Sequence, residues 1–297
     1  MVLKYGSKGE LVKVLQELLN MKTIDGIFGK QTKDTVVNFQ RANGLATDGV
    51  VGPITWNRLK YKPEEEDLDT DRECYQNWIE TYHLSEKEYI KKETPKNYIM
   101  IHHTAGRENP YKVINHWDAD NRGRVGTNYV IGGVSCDGKK TAHDGRVLRA
   151  INDEYFGWHI GAGGSYKMKE QSLSIEICSA GGLKKKNGKW YTWFGEVVNP
   201  DQVCVLKKKF RGYQAFQKYT NEQLRSLEAL LKYLSTKHDI SLKIGMQQYM
   251  AEGKDAFAWD ADIYNGKVKG LISHTNVRKD KSDVFPQPEL INLIKRL

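Results

Sequence analysis

Two histidines end a short apolar run, Tyr98-Ile99-Met100-Ile101-His102-His103, and a third, His274, ends another, Leu271-Ile272-Ser273-His274. Imidazole at the exposed end of a buried strand is held rigidly and stays reachable, which a metal ligand or a catalytic base requires. Asp283 closes the polar loop that follows His274. Two imidazoles and one carboxylate make a normal protein ligand set for catalytic zinc, with a fourth position left open. The chain has eight His and 37 Asp plus Glu, so spacing alone leaves this set one choice among many. Glu176 stands in a further apolar run, Ser172-Leu173-Ser174-Ile175-Glu176-Ile177. Side chains alternate along a strand, so Glu176 faces away from Ile175 and Ile177, toward solvent or a cleft.

These residues need strands to hold them. The run from Tyr98 is bounded by Pro95 and Asn97 before it and by Gly106 to Pro110 after it, the pattern of a buried strand ending in a loop. Thr127 to Gly133 reads as another strand, and Lys140 to Ile151 as a hairpin turning at Gly145. Trp158-His159-Ile160-Gly161-Ala162-Gly163-Gly164 is a Gly-rich loop. Val113, Ile114 and Trp117 suggest a helix, and Asn221 to His238 is amphipathic through Leu224, Leu227, Leu230, Leu231 and Leu234. Pro288 to Leu297 gives a closing helix. Strands alternate with helices, so the expected class is α/β, a central mixed sheet flanked by helices. Residues 183–219, basic and aromatic, and residues 245–270 look like insertions. His83, His116, His143 and His238 are read as structural or surface residues.

Before this lies a different kind of sequence. Residues 1–61 carry Leu11, Val14, Leu15, Leu18 and Leu19 at helical spacing, with Ser7 placed to cap that helix. A repeat follows: Asp25-Gly26-Ile27-Phe28-Gly29-Lys30-Gln31-Thr32 is echoed by Asp48-Gly49-Val50-Val51-Gly52-Pro53-Ile54-Thr55. Each copy is a Gly turn leading into a helix. A three-helix unit this short has a marginal core and suits binding better than catalysis. Residues 62–72 form an acidic, Pro-containing linker, and residues 73–297 the second domain, opening on a helix at 73–92 with Tyr75, Trp78, Ile79 and Tyr82 on one face.

The net charge of +9 favours polyanionic partners: nucleic acid, an anionic membrane or an acidic wall polymer. No nucleic-acid motif accompanies it, and no apolar run is long enough to span a bilayer. The four cysteines form no CxxC pair and are expected as free thiols. The first residues carry no charged head followed by an apolar run, so no secretory signal is expected.

The ordered motifs of the first module, from Gly6-Ser7-Lys8-Gly9 through Phe39-Gln40 and Gly44-Leu45 to Gly52-Pro53-Ile54-Thr55-Trp56, resemble the three-helix peptidoglycan-binding domain attached to many wall hydrolases. In the second domain, Ile101-His102-His103-Thr104-Ala105, Trp158-His159-Ile160-Gly161, Ser172 to Ile177, and Ser273-His274 with Lys281-Ser282-Asp283 follow the order of the zinc-dependent N-acetylmuramoyl-L-alanine amidases. That resemblance implies a Zn²⁺ cofactor held by His102, His274 and Asp283, with Glu176 as acid/base and Lys281 steadying the oxyanion. It makes His103 a neighbour on the other face of the strand, and Asp280 a decoy. His159, Trp158, Tyr129 and Thr104 are the residues expected at the substrate groove. The family's usual Gly-His-Arg-Asp is here Ser273-His274-Thr275-Asn276, and its usual Pro after the metal Asp is Val284. The implied partner is bacterial peptidoglycan. The layout resembles phage endolysins, which are made in the cytoplasm and reach the wall through a holin. A non-catalytic recognition protein and a zinc peptidase of the stem peptide are the competing readings.

Overall fold

The computed structural model describes residues 3–43, 45, 47–59, 78–121, 123–161 and 165–297. The chain divides into two compact units, Met1–Ile79 and Glu80–Leu297. The acidic stretch at 62–72, the start of the helix expected at 73–92, Cys74, and Gly44, Ala162, Gly163 and Gly164 lie outside the described residues.

Among the described residues the first unit has three helices: α1 (Glu10–Leu18), α2 (Lys30–Ala42) and α3 (Pro53–Arg58). Its core is Leu3, Val12, Leu15, Phe28, Val36, Val51, Trp56 and Leu59. The sequence repeat has a hydrogen-bonding basis. Gln16 Nε2 donates to Asp25 Oδ1 (2.8 Å) and to the Ile27 carbonyl (3.1 Å), while Gln16 Oε1 accepts from Gly26 N. Gln40 does the same to Asp48 (2.9 Å), the Val50 carbonyl (2.8 Å) and Gly49 N. A buried amide on each helix thus pins the turn that follows it. The helix cap differs from expectation. Gly9 occupies the position before α1, and Ser7 Oγ instead accepts from Lys4 N within the preceding turn.

The second unit is built on a six-stranded sheet in the order β1-β4-β3-β5-β2-β10. The strands are β1 (Ile79–Thr81), β2 (Tyr98–His103), β3 (Tyr129–Ile131), β4 (Val147–Arg149), β5 (Ser172–Ile177) and, after the insertion, β10 (Gly270–Ser273). β2, β3, β5 and β10 run parallel, and β4 is antiparallel to β3. Every residue of β2 is buried, as a central parallel strand covered on both faces requires. One face carries α4 (Pro110–Asp118), whose Ile114 and Trp117 pack with Val130 and Leu148. The other carries α6 (Asn221–His238), entered through a Thr220/Gln223 capping box and buried along Leu224, Leu227, Leu231 and Leu234. A short α5 (Tyr166–Glu170) precedes β5; α7 (Met246–Ala251) and α8 (Ala261–Tyr264) fill the stretch before β10. Then come α9 (His274–Val277) and α10 (Pro288–Arg296).

Two expectations are corrected. Ile79 to Thr81 is an edge strand, and Glu86–Glu88 a single 3₁₀ turn, where a helix was expected. Backbone pairing at the sheet edge outweighs the periodicity, with Ile79 buried and Glu80 and Thr81 exposed. The expected hairpin at 140–151 supplies one strand, β4, which pairs with β3. The insertion at 183–219 is a second, four-stranded sheet: β6 (Gly182–Lys186), β7 (Lys189–Tyr191), β8 (Val203–Phe210) and β9 (Tyr213–Gln217), in the order β7-β6-β9-β8. Among the described residues no helix is long and apolar enough to cross a membrane. Cys136, Cys178 and Cys204 are free thiols.

Candidate metal centre

The parallel strands end on one edge of the sheet, and that edge gathers the reactive side chains. His102 is the fifth residue of β2, and its register partner on β5 is Glu176. Partners on adjacent parallel strands point to the same face. β10 ends at Ser273, so His274 is delivered as the first residue of α9, and the loop beyond it returns Asp283. Ligand sites in α/β sheets lie outside the carboxyl ends of the strands.

His102, His274 and Asp283 are buried and offer ligand atoms within 4.8 Å of one another. His102 Nδ1 is 3.1 Å from His274 Nδ1 and 3.3 Å from Asp283 Oδ2, and His274 Nδ1 is 2.8 Å from Asp283 Oδ2. Donors bound about 2.0–2.1 Å from one tetrahedral ion stand roughly 3.3 Å apart, so these spacings fit a single cation. The protonation states fit as well. Burial drives the His102 imidazole down to about 4, which leaves it neutral. Burial works to raise Asp283, yet the facing His274 and His102 outweigh it and hold the carboxylate well below its usual range.

The loop after β4 orients both imidazoles. His159 Nδ1 lies 3.1 Å from His102 Nε2, and the Ile160 carbonyl accepts from His274 Nε2 at 3.2 Å. Each contact engages the distal nitrogen and turns Nδ1 toward the cluster. Arg278 Nη1 donates to the same carbonyl at 3.0 Å and so fixes it. Sequence reasoning placed His159 and Trp158 at a substrate groove. The structure places His159 against His102, buried, with its Nε2 unpartnered, and leaves the neighbouring Trp158 39% exposed. The signal that could have revealed this was the conjunction of a His with Gly-rich flanks, which let a loop fold close over a strand end.

Glu176 is half-buried, and its Oε2, shielded from solvent, has no hydrogen-bond partner. Burial pushes its pKa well above the usual carboxylate range; Asp283 adds to this and the Lys281 ammonium opposes it. The carboxyl lines a cavity of about 540 Å³ together with Thr104, Arg107, Lys112, Trp193 and Phe194. Thr104 lines this cavity. Tyr129 does not. Its register partner is Ile175, so it lies on the sheet face opposite Glu176, where its hydroxyl donates to the buried Asp153. A shift of one residue in the expected register reverses the face, and Val130 is the residue that partners Glu176. His103 also lies on that opposite face, with its Nδ1 2.8 Å from the Tyr219 hydroxyl. Asp280 sits apart from the cluster, paired with Arg278 at 2.5 Å.

Residues 92–283 match the family model of the N-acetylmuramoyl-L-alanine amidases, and residues 8–59 that of a peptidoglycan-binding domain. The first match spans more than half of the chain, which therefore belongs to the N-acetylmuramoyl-L-alanine amidase family. An uncharacterised protein of Kitasatospora aureofaciens is 40% identical over 70 residues, covering 22% of this chain and 59% of that protein. The zinc D-Ala-D-Ala carboxypeptidase of Streptomyces albus G is 42% identical over 72 residues, 22% of this chain and 28% of that enzyme. The chain thus spans less than two thirds of the length of either relative. Among solved structures, PlyL is similar at 13% identity over 73% of this chain and 96% of that one, with a TM-score of 0.41.

Proposed function

We propose that the protein is a peptidoglycan hydrolase that cleaves the amide bond between N-acetylmuramic acid and L-alanine, with a zinc ion on His102, His274 and Asp283. The observation that carries this reading is the convergence of two buried imidazole nitrogens and one carboxylate oxygen beside Glu176 on the next strand, whose Oε2 is shielded from solvent and unpartnered. Zinc bound there would supply Lewis acidity at the scissile carbonyl and acidify the attacking water. Glu176 takes the proton from that water and returns it to the departing L-alanine nitrogen. Burial favours the protonated form of Glu176, and a cation held by the neighbouring ligands would favour the ionised one, so the carboxyl can both take and return the proton. Lys281 places a cation near the carbonyl oxygen as charge develops on it. Residues 1–61 hold the enzyme on the wall, joined to residues 73–297 through the acidic stretch at 62–72. The reading makes the protein lytic in the manner of endolysins.

Digestion of purified peptidoglycan with zinc present tests it. Stem peptides released with a new L-alanine amino terminus are the expected product. New amino groups within the peptide would identify a stem peptidase instead. Intact wall that retains the protein would identify a non-catalytic binder.

A further inference from the structure

The small second sheet reaches the site at two points. At one, the hairpin between β8 and β9 holds the loop that carries the metal-site residues. Arg211, at the tip, donates to the Lys279 carbonyl at 2.6 Å and to the Thr275 carbonyl at 3.2 Å. At the other, the turn after β7 meets the chain just beyond His102. Trp193 Nε1 donates to the Ala105 carbonyl at 2.6 Å, although the residue is 68% exposed. Phe194 stands edge-on to Trp193, with centroids 5.3 Å apart, and the Arg107 guanidinium lies 4.7 Å from its ring centre. Arg107 is itself paired with Glu196 at 2.7 Å. The only polar atom of the indole is therefore tied down, and the turn that carries it is clamped. What remains open is a flat apolar face at the mouth of the cavity whose floor holds Glu176. Across that cavity stand Lys112 and His116, one turn apart on α4 and both exposed.

We infer that Trp193 forms a carbohydrate subsite, stacking on one hexopyranose ring of the glycan strand so that the attached stem peptide enters the cavity toward Glu176. A sugar ring has an apolar C–H face and a polar edge of hydroxyl and N-acetyl groups. A fixed indole opposite hydrogen-bond donors complements both. An indole left largely in water, in a turn held by several contacts, is otherwise an unrewarded exposure of apolar surface. The inference rests on the substrate being a glycan-linked peptide, and it makes the inserted sheet part of the substrate groove.

The test uses the full chain, so any contribution from residues 1–61 is common to every variant. Trp193→Ala and Trp193→Phe are compared with the parent for KM and kcat on purified peptidoglycan. Binding of a peptide-free N-acetylglucosamine tetramer and of a free stem peptide is followed by NMR titration, with Tm as a check on folding. The expected result is a KM about tenfold higher in Trp193→Ala with kcat nearly unchanged, matching weakening of the tetramer, and recovery in Trp193→Phe. Unchanged KM and tetramer binding in Trp193→Ala overturn the inference. So does weakening of the stem peptide with the tetramer unaffected, which would place the peptide on the indole. A parent that binds the tetramer through Trp193 but cleaves no amide sinks the amidase reading and leaves the subsite standing.

Discussion

The most demanding residue in the molecule is Glu176. Its Oε2 is shielded from solvent without a partner, which costs stability, and such a cost persists where the group has work to do. Glu176→Gln keeps the volume and removes the titratable proton. The expected result is a fall in kcat on the order of 10²–10⁴, with zinc affinity retained because Glu176 is not among the three ligands; equilibrium dialysis and turnover on peptidoglycan measure the two. Full activity in this variant would refute the acid/base role. The same burial sets a pH dependence. Because the carboxyl is shifted upward from its ordinary 4.5, its ionised form appears only at higher pH. The ascending limb of kcat/KM should therefore lie above pH 4.5, and Glu176→Gln should lack it. His159 acts through His102. His159→Ala frees His102 Nε2 and should weaken zinc binding by about 10- to 100-fold. An unchanged affinity would mean that His102 is oriented by β2 alone.

At the scale of elements, the site exists because four parallel strands stop on the same edge, and the sequence made that partly visible. The strand carrying His102 is a run of apolar residues ending in polar ones, and full burial on both faces leaves that pattern in any chain. The set His102, His274 and Asp283 was nominated by residue type and ordered motifs, and the structure brings those three together. Tyr129 was misplaced because a three-residue strand such as β3 carries no alternation from which to read its face; only pairing with β5 decides it. The segment at 183–219 was read as an insertion, but its strands were not legible because the exposed lysines at 184–186 and 207–209 interrupt the apolar alternation. Its role came from tertiary contacts alone: Arg211 on the metal loop, and Phe216 stacked on Phe285 at 4.3 Å. The delivery of His274 depends on Gly245, which bridges to Leu271 of β10 at a φ of 86°. A Cβ there would stand 2.2 Å from the Leu271 carbonyl oxygen. Gly245→Ala should lower stability by about 1–3 kcal/mol and weaken zinc binding as β10 shifts. Chemical denaturation and a metal titration check both, and a variant as stable as the parent would show that β10 is not held from this side.

At the scale of the whole molecule, the two units have separate cores. On the proposed function, what links them is work on an insoluble polymer. A module that stays on the wall raises the local concentration of the catalytic unit at its bonds without altering the chemistry there. The net charge of +9 adds long-range attraction to an anionic wall, and salt screens that attraction. Removal of residues 1–77 should therefore leave kcat on a soluble glycopeptide near that of the full chain. On intact walls the same truncation should lower activity by about tenfold or more, and the deficit should shrink as substrate is fragmented. Raising ionic strength should reduce wall binding of both forms, because the basic residues are spread through the chain and not confined to the module. Equal activity of the truncated and full chains on intact walls would show that residues 78–297 reach the polymer unaided, and the first unit would then need another role.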